Sequence, residues 1–465
     1  MSDESGGQAA QALPAPDPLP GAERGIGHPW RTVFILQFLY VVSMLDRNLI
    51  ALLVQPIKQD LGVSDFAISL LQGTAFGLFY ALCGFFAGWL LDTFPRRRIV
   101  FLGVTLWSLS TAACGLASSF WQLLIGRFGV GSGEAVLSPA SFAMISDQFP
   151  PRRLGFAMGV WATGSTLGGA MSLLLGGLAV SWLTARGAIT LPLLGTLVPW
   201  QQAFMLVGLP GVFVAPMVFL IWRGVDRPKA AKIRGGAPGG QTLTTFLSRR
   251  RRYLSLHFFA YGMVTLVAYG QSAWMPTYLL REFHVNIAEA GFGLAMASAG
   301  GGFIGFLLSG YVTDRWQARG MLDAHFRYST WAAAGLTLSG ATAIMAPTAA
   351  LAVWATTGSY ITMAISGIAA ANLQLATPSH LRARVSSLYI MAVNVTGLCF
   401  GPSVVAAFTD FWFHDPARVG SSIMLTYLIF GPLAVIGFHF GRRACAEALD
   451  HLSDAAHWSE TAESH

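Results

Sequence analysis

The chain has 465 residues, of which 54% are hydrophobic and only 11% are charged, and its formal net charge is +7. Soluble domains carry about a quarter charged residues, so this chain has too little charge to cover the surfaces of two or three soluble domains. The composition therefore excludes an ordinary soluble protein and indicates one that crosses a membrane several times.

Twelve apolar segments reach the length of about 20 residues that a membrane-spanning helix needs. They follow residues 1–28, which are rich in Pro, Gly and Ala and are expected to form a disordered cytoplasmic tail. We predict spans 1 to 12 at 31–54, 66–91, 99–118, 121–148, 154–183, 201–222, 253–280, 288–313, 327–346, 350–376, 384–409 and 421–441. The predicted fold class is an all-α membrane protein with twelve transmembrane helices.

A polar and basic segment divides the spans into six and six. We therefore predict an N-terminal bundle at 29–222, a cytoplasmic basic linker at 223–252, a C-terminal bundle at 253–443 and a cytoplasmic tail at 444–465. The two halves repeat one pattern, because "GWLLDTFPRRR" closes span 2 and "GYVTDRWQARG" closes span 8. Duplicated halves are typical of secondary transporters, whose substrate site lies between the halves near the bilayer midplane.

The 29 lysines and arginines are distributed unevenly between the two sides of the predicted helices. If the N-terminus is cytoplasmic, the outer loops hold only Lys58, Arg186, Arg281 and Arg418. Because cytoplasmic loops carry the excess of basic residues, both termini are predicted to be cytoplasmic. The basic residues are nearly all arginine, which is typical of a GC-rich bacterial genome, so a bacterial inner membrane is expected. The positive charge then serves topology and contacts with anionic head groups, and no nucleic-acid partner is expected.

Spans 1 and 4 contain the charged residues Asp46, Arg47, Arg127 and Glu134. A charge at the bilayer centre costs about 2.5–3.5 kcal/mol on insertion scales, so such residues are functional by default. The depths of Asp46 and Arg127 agree within a helical turn, which predicts an ion pair between them. We expect Asp46, Glu134 and Arg127 to couple transport to protons, since a carboxylate that loses its arginine partner changes its proton affinity. The alternatives are a static ion network and, for Arg47, a side chain that extends toward the membrane surface.

The C-terminal half offers polar and aromatic side chains in place of charges, which suits an amphipathic substrate with an ionic head and an apolar body. The predicted substrate-binding residues are Arg47, Arg127, Glu134, Tyr40, Tyr269, Gln271 and Asn394. For each uncharged residue in this set, a packed contact between helices is the alternative. The expected partners are a small amphipathic or anionic substrate, protons and membrane lipids.

The segment that closes span 2 resembles the loop signature of the major facilitator superfamily at Gly88, Leu90, Asp92, Arg96 and Arg97. The stretch "LLIGRFGVGSGEA" in span 4 is similar to the Arg-and-Gly signature of that superfamily. Within the superfamily, "LDRNLIALLVQPIKQDLGVSD", "GRFGVGSGEAVLSPA" and "ISDQFPPRRLG" resemble the spinster branch. An organic-anion symporter branch shares the Asp-Arg pair of span 1 and is the alternative.

This resemblance implies two pseudo-symmetric six-helix bundles, a monomer, and proton-linked movement of lysophospholipids or sphingoid lipids by alternating access. It also implies a cytoplasmic charge latch that controls opening. We assign the latch to Asp92, Arg96, Arg97, Asp147, Asp314 and Arg315. The organic-anion branch implies instead a proton symporter of a small anion.

Other functional classes have little support in the sequence. It contains no HExxH motif, no Walker-type phosphate loop and no Cys/His metal constellation, so no enzyme, metal or other cofactor is predicted. The alternatives are a membrane-embedded enzyme, a channel, and a receptor on the same scaffold that binds a ligand without moving it.

Overall fold

The computed structural model describes residues 29–192, 195–226, 242–378 and 381–462, and these residues are mainly helical. Each of the twelve predicted spans coincides with helix, so the predicted fold class is confirmed. The predicted tail at 1–28 and residues 227–241 of the predicted linker lie outside the described residues.

Spans 1 to 6 form the N-terminal half. Spans 1 to 3 consist of α1 (Pro29–Leu52) and α2 (Val54–Leu61), then α3 (Asp65–Ser69), a π-helical turn (Leu70–Thr74) and α4 (Ala75–Thr93), then α5 (Arg96–Cys114). Spans 4 to 6 consist of α6 (Phe120–Glu134) and α7 (Leu137–Ser146), then α8 (Pro151–Arg186), then α9 (Pro199–Val214) with 3₁₀ turns at Ala215–Leu220 and Arg223–Asp226. An antiparallel hairpin of β1 (Ile189–Leu191) and β2 (Gly195–Leu197) joins spans 5 and 6.

Spans 7 to 12 form the C-terminal half. After a short α10 (Leu243–Arg249), spans 7 to 10 consist of α11 (Arg251–Phe283), α12 (Ile287–Gln317), α13 (Ala324–Ile344), and α14 (Ala349–Met363) with α15 (Ser366–Leu375). Span 11 consists of α16 (Arg382–Asn394), a π-helical turn (Val395–Cys399), α17 (Phe400–Ala407) and a second π-helical turn (Phe408–Phe413). A 3₁₀ turn (Pro416–Arg418) leads into α18 (Val419–Ala462), which forms span 12.

The amino-acid sequence explains the spans and several of their starts. Among the residues that the structure describes, eight helical stretches are long and apolar enough to cross a membrane by length and composition alone. Spans 3, 4, 7 and 9 fall outside this set; α5, for example, begins with three arginines, and α6 has only 15 residues. Residues that precede helices act as N-caps: Ser64 Oγ accepts a hydrogen bond from the Ala67 backbone, and Asn286 Oδ1 accepts one from Glu289.

Three features differ from the expected organisation. The hairpin β1–β2 occupies a loop in which no strand was expected. The predicted linker ends in α10, whose Thr242 cap accepts a hydrogen bond from Thr245. The predicted tail at 444–465 begins as a continuation of α18, and Cys445 is buried there against Asn372 of span 10.

The two halves meet differently at the two ends of the protein. We call the end with the loop between spans 1 and 2 the Asp65 end, and the end with the loop between spans 2 and 3 the Arg96 end. Near the Asp65 end, a Cβ added to Gly73 of span 2 would lie 2.3 Å from the carbonyl oxygen of Leu398 in span 11. A Cβ added to Gly291 of span 8 would lie 2.3 Å from the carbonyl oxygen of Leu173 in span 5. Only glycine allows backbones to approach this closely.

Toward the Arg96 end the same helices separate. A Cβ added to Gly84 or Gly88 of span 2, or to Gly310 of span 8, would meet no atom within 4 Å. Tyr311 of span 8 is 65% exposed. The space between the halves is therefore open toward the Arg96 end and closed at the Asp65 end.

Candidate functional site

Glu134 is the centre of a buried polar cluster between spans 1 and 4. Its Oε2 atom accepts hydrogen bonds from Ser43 Oγ (2.7 Å) and Arg47 Nη2 (2.7 Å). Ser43 and Arg47 are four residues apart on α1, so both side chains project from one face of the helix. The Glu134 side chain is only 1% exposed. Removing one partner of a buried ion pair costs about 3–5 kcal/mol, because the other charge stays buried.

Arg47 is the member of this cluster that reaches the space between the halves. Its guanidinium carbon lies 4.5 Å from the centroid of the Phe76 ring and 5.1 Å from that of Tyr80, both on span 2. With Gln72 and Tyr269, Arg47 lines a small cavity of about 40 Å³. The alternative in which Arg47 extends toward the membrane surface is therefore wrong, and its charge can meet an anionic group in the cavity.

Asp46 is next to Arg47 in the chain but projects into the N-terminal half. Its Oδ2 atom accepts a hydrogen bond from Thr111 Oγ1 of span 3 at 2.6 Å, and its Oδ1 atom has no hydrogen-bond partner among the described residues. The predicted ion pair between Asp46 and Arg127 does not form and is wrong. Asp46 and Arg127 lie at similar depths, but depth along a helix does not fix the direction in which a side chain projects. Each residue along a helix changes that direction by about 100°, so Asp46 does not face Arg127.

Arg127 is fully buried in span 4 and contacts span 2. Its Nε atom donates to the carbonyl oxygen of Leu71 at 3.0 Å, within the π-helical turn, and its guanidinium carbon is 5.3 Å from the Phe76 centroid. Its Nη1 and Nη2 atoms have no hydrogen-bond partner in the described part of the chain. Arg47 and Arg127 thus share one aromatic neighbour, Phe76, and only Arg47 is paired with a carboxylate.

A cavity of about 280 Å³ lies between the two halves. Its lining residues include Asn48, Ala51, Ser165, Thr166, Leu173, Ser272, Ser298, Phe306, Tyr360 and Met363. This lining combines hydroxyl and amide groups with apolar side chains, as ligand sites commonly do. Asn48, Ala51 and Ser272 also line the smaller cavity at Arg47, so the two cavities are neighbours.

The other predicted substrate residues have different surroundings. The Tyr40 ring stacks on Trp161 of span 5, with centroids 4.7 Å apart. Gln271 accepts a hydrogen bond from the Tyr427 hydroxyl of span 12 and lines neither of these two cavities, so its place in the substrate site stays a prediction. Two residues beyond Tyr269, Gln271 projects into the interior of the C-terminal half. Asn394 ends α16, is half-buried, and stays a prediction.

Two of the residues predicted for the charge latch, Arg96 and Asp147, form an ion pair at the Arg96 end, while their role as a latch stays a prediction. Arg96 Nη1 binds Asp147 Oδ2 at 2.5 Å and joins the start of span 3 to the end of span 4. Arg97 Nη1 donates to the carbonyl oxygen of Ile221 at 3.0 Å, at the end of span 6. The side chain of Asp92 lies outside the described part of the chain.

The C-terminal half forms its ion pairs elsewhere than predicted. Asp314 and Arg315 are exposed, and neither forms an ion pair with another described residue. Instead Asp323, in the loop after span 8, binds Arg442 Nε of span 12 at 2.7 Å. The ion pairs that the structure describes at the Arg96 end therefore lie within one half or the other, and none of these pairs joins the two halves there.

Asp65 joins the two halves at the opposite end. Its buried carboxylate accepts hydrogen bonds from Arg281 Nη1 (2.7 Å) and Nη2 (2.9 Å) of span 7, and from Lys58 Nζ (2.8 Å) of α2. The backbone N–H of Phe66 donates to Asp410 Oδ2 of span 11 at 2.6 Å. This cluster was not predicted from the sequence, although Lys58 and Arg281 are two of the four basic residues in the predicted outer loops.

Two further polar residues of the site were also missed. The signal for Ser43 was its spacing of four residues from Arg47 on one helix face. Thr111 carried no comparable signal, because a lone threonine in an apolar helix usually bonds to its own backbone. Within the described ranges, no group of three or more His, Cys, Asp or Glu side chains is placed to hold a metal ion.

Several known proteins are similar in sequence. The sequence profile of the Major Facilitator Superfamily matches residues 36–402. An MFS-type efflux pump of Mycolicibacterium smegmatis is 28% identical over 311 residues, which cover 66% of this chain and 67% of that protein. A probable L-galactonate transporter of Escherichia coli is 26% identical over 327 residues, which cover 68% of each. A hexuronate transporter of Bacillus subtilis is 27% identical over 292 residues, which cover 60% of this chain and 64% of that protein.

Solved structures extend the likeness over nearly the whole chain. A bacterial homolog of the human lysosomal transporter spinster, inward-facing and unoccupied, has a TM-score of 0.70 at 23% identity and covers 92% of this chain and 98% of its own. The inward-facing and occupied form has a TM-score of 0.65 at 25% identity, with coverages of 93% and 96%. The chain therefore shares its fold with the spinster homolog, belongs to the Major Facilitator Superfamily and is a transporter integral to a membrane.

Proposed function

We propose that this protein is a proton-coupled secondary active transporter of an amphipathic, anionic substrate and that it works by alternating access. The single observation that carries the proposal is the buried Arg47–Glu134 ion pair, whose arginine lines a cavity at the interface of the two halves. At this position one cation can be bound either by an internal acid or by a substrate.

Protonation of Glu134 is the proposed switch. Ionised Glu134 holds Arg47 inside the N-terminal half, whereas neutral Glu134 attracts the guanidinium group much less. Arg47 is then free to bind a carboxylate or phosphate group through two parallel hydrogen bonds. Proton binding and substrate binding therefore favour each other, which couples the two movements thermodynamically.

Asp46 is the second acid of the proposed coupling site. It adjoins Arg47 in the chain, is buried, and leaves one carboxylate oxygen without a hydrogen bond in the described structure. We propose that Asp46 and Glu134 share this role, with Arg127 contributing a fixed positive charge beside Phe76.

We propose that the Arg96 end faces the cytoplasm of a bacterial cell and that both termini lie there. The three arginines at 96–98 and the four at 249–252 belong to this end, and cytoplasmic loops carry the excess of basic residues. The cavity opens toward the Arg96 end, so this conformation is inward-facing. The two spinster homolog structures are described as inward-facing too.

The proposed substrate is lysophospholipid-like, with an anionic group at Arg47 and an apolar body against Leu173, Phe306 and Met363. The spinster-like fold supports this choice. A small organic anion is the second candidate, because a cavity of about 280 Å³ is at the lower limit of the usual range of about 300–1,000 Å³. The names of the hexuronate and L-galactonate relatives support that candidate.

Transport by the purified protein in proteoliposomes tests the proposal. Uptake of radiolabelled lysophosphatidylglycerol and, separately, of galactonate is measured under an imposed pH gradient, with and without a protonophore. We expect one of them to accumulate only while the gradient persists. Accumulation that ignores the protonophore contradicts proton coupling. Saturable binding without flux would indicate a receptor, and chemical conversion of the lysolipid would indicate an enzyme.

A further inference from the structure

We propose that a groove on the outer surface of the N-terminal half binds one anionic phospholipid of the surrounding bilayer. The groove, which we call the span 2–3 groove, has a volume of about 410 Å³ and lies among spans 2, 3 and 4. It is distinct from the two cavities between the halves, because it shares no lining residue with them.

The lining of the span 2–3 groove is apolar and exposed, which suits an acyl chain. Phe86 and Trp89 of span 2 are 62% and 65% exposed, and Leu102 and Leu106 of span 3 are 60% and 48% exposed. Span 3 packs against other helices of the N-terminal half, and in an integral membrane protein the exposed apolar side chains of such a helix are covered by lipid. Ser132 and Gly133 of span 4 also line the groove, and Gly133 directly precedes Glu134 in the chain. The bound acyl chain would therefore touch the helix that carries the proposed coupling acid.

Arg98 supplies the charge that selects an anionic head group. Arg98, Leu102 and Leu106 follow one another at intervals of four residues, so they form one stripe along α5. Arg98 lies at the first turn of α5, and its distance from Leu106 along the helix is about 12 Å. One leaflet of the hydrocarbon core is about 15 Å thick. A phospholipid whose phosphate meets Arg98 can therefore lay one chain along the groove.

Arg98 is also the member of its arginine triplet that is free for this contact. Arg96 is bound to Asp147, and Arg97 donates to backbone carbonyl oxygens of span 6. Arg98 is exposed and has no ion pair with any described residue. Trp89, near the same end of the groove, is a residue type that favours the depth of the head groups.

Native mass spectrometry of the full-length protein in detergent provides the test, with phosphatidylglycerol and phosphatidylcholine of identical chains as probes. We expect the wild type to retain one phosphatidylglycerol more tightly than phosphatidylcholine. Arg98→Gln should weaken the binding of phosphatidylglycerol by about fivefold, which is the usual effect of one basic residue near a membrane surface. Arg319→Gln, which removes an exposed arginine after span 8, should leave the affinity unchanged.

A second pair of variants tests the groove itself. Leu106→Trp fills the groove and should weaken the binding of both lipids. Leu109→Trp, at an exposed position outside the groove lining, should leave the binding of both lipids unchanged. Equal affinity of the wild type for the two lipids would overturn the proposal. Equal losses in Arg98→Gln and Arg319→Gln would also overturn it, since they would show a general attraction to net charge.

Discussion

Asp65 of span 2 binds Arg281 of span 7 through both of its carboxylate oxygens, and this ion pair joins the two halves of the protein. The Asp65 side chain has no exposed surface, and Lys58 supplies a second cation to it. The pair lies at the closed end of the space between the halves. Any conformation that opens this end must separate it.

Asp65→Asn should therefore shift the protein toward a form open at the Asp65 end. An amide cannot neutralise Lys58 and Arg281, and breaking a buried pair in this way costs the closed form about 3–5 kcal/mol. Spin labels at the exposed positions Gln59 and Glu282, one on each half, measure the change as a longer mean distance.

Asp60→Asn is the matched control for this experiment. It makes the same change of charge at the same end, but Asp60 accepts its hydrogen bond from Trp200 Nε1 within the N-terminal half. We expect the label distance to stay at its wild-type value in this variant. An equal shift in Asp60→Asn and Asp65→Asn would refute the assignment of Asp65 as the contact that holds this end closed.

Gly73→Ala should disturb the same closed end by a steric route. The new Cβ would lie 2.3 Å from the carbonyl oxygen of Leu398, which forces spans 2 and 11 apart. Gly84→Ala, on the same span, places its Cβ in open space and serves as the control. We expect slower transport and a longer Gln59–Glu282 distance only in Gly73→Ala. Normal transport in both variants would show that the close contact is dispensable.

Glu134→Gln should abolish proton-driven accumulation while counterflow of substrate continues. The amide keeps the shape of the side chain and its hydrogen bond from Ser43, but it can no longer gain or lose a proton. Asp46→Asn should behave in the same way if the two acids act together. Wild-type accumulation in both variants, measured in proteoliposomes under a pH gradient, would remove the coupling assignment.

Two controls distinguish coupling from folding defects in these acids. Glu282→Gln alters an exposed acid at the Asp65 end and should transport normally. We expect the Glu134→Gln and Asp46→Asn proteins to be extracted from the membrane in folded form. Each purified protein should then show a cooperative thermal unfolding transition. If one of the two variants is not obtained as a folded, monodisperse protein, the coupling assignment is tested on the other variant, by comparing its counterflow with its proton-driven accumulation.

Arg47→Gln should weaken substrate binding by about tenfold or more, since a charge-assisted hydrogen bond contributes about 1.5–3 kcal/mol. Arg47→Lys keeps the charge but loses the planar group that lies over Phe76, and it should restore binding only in part. Binding is measured by titration of the purified protein with the transported substrate. Arg319→Gln is the control, and equal affinity in wild type and Arg47→Gln would exclude Arg47 from the substrate site.

The twelve spans could be predicted from the sequence because the signal for a transmembrane helix is local. About 20 consecutive apolar residues suffice, whatever the rest of the chain does. The charged residues of spans 1 and 4 could be identified for a related reason: a charge in an apolar segment is rare and costly. The helices and the charged residues of the polar cluster could thus be identified from the sequence, whereas Ser43 and Thr111 were missed.

The pairing of those residues could not be predicted, because depth along a helix does not fix rotation about its axis. Asp46 and Arg127 lie at similar depths, yet Asp46 bonds to Thr111, and it is Arg47 that binds Glu134. One residue along a helix changes the direction of a side chain by about 100°. Asp65 was missed for a different reason: it follows a loop, and its burial exists only when the two halves are packed together.

The close contact between spans 2 and 11 has one more consequence. Each span has a π-helical turn there, Leu70–Thr74 and Val395–Cys399, and Thr74 Oγ1 donates to the carbonyl oxygen of Cys399 at 3.0 Å. A π-helical turn contains one residue more than the regular α-helical turn. Rewinding either turn would swivel the adjoining helix by about 100° without breaking the chain's helical order. The closest contact between spans 2 and 11 thus lies where each helix holds one residue more than an α-helical turn, so a rotation of either helix could begin there.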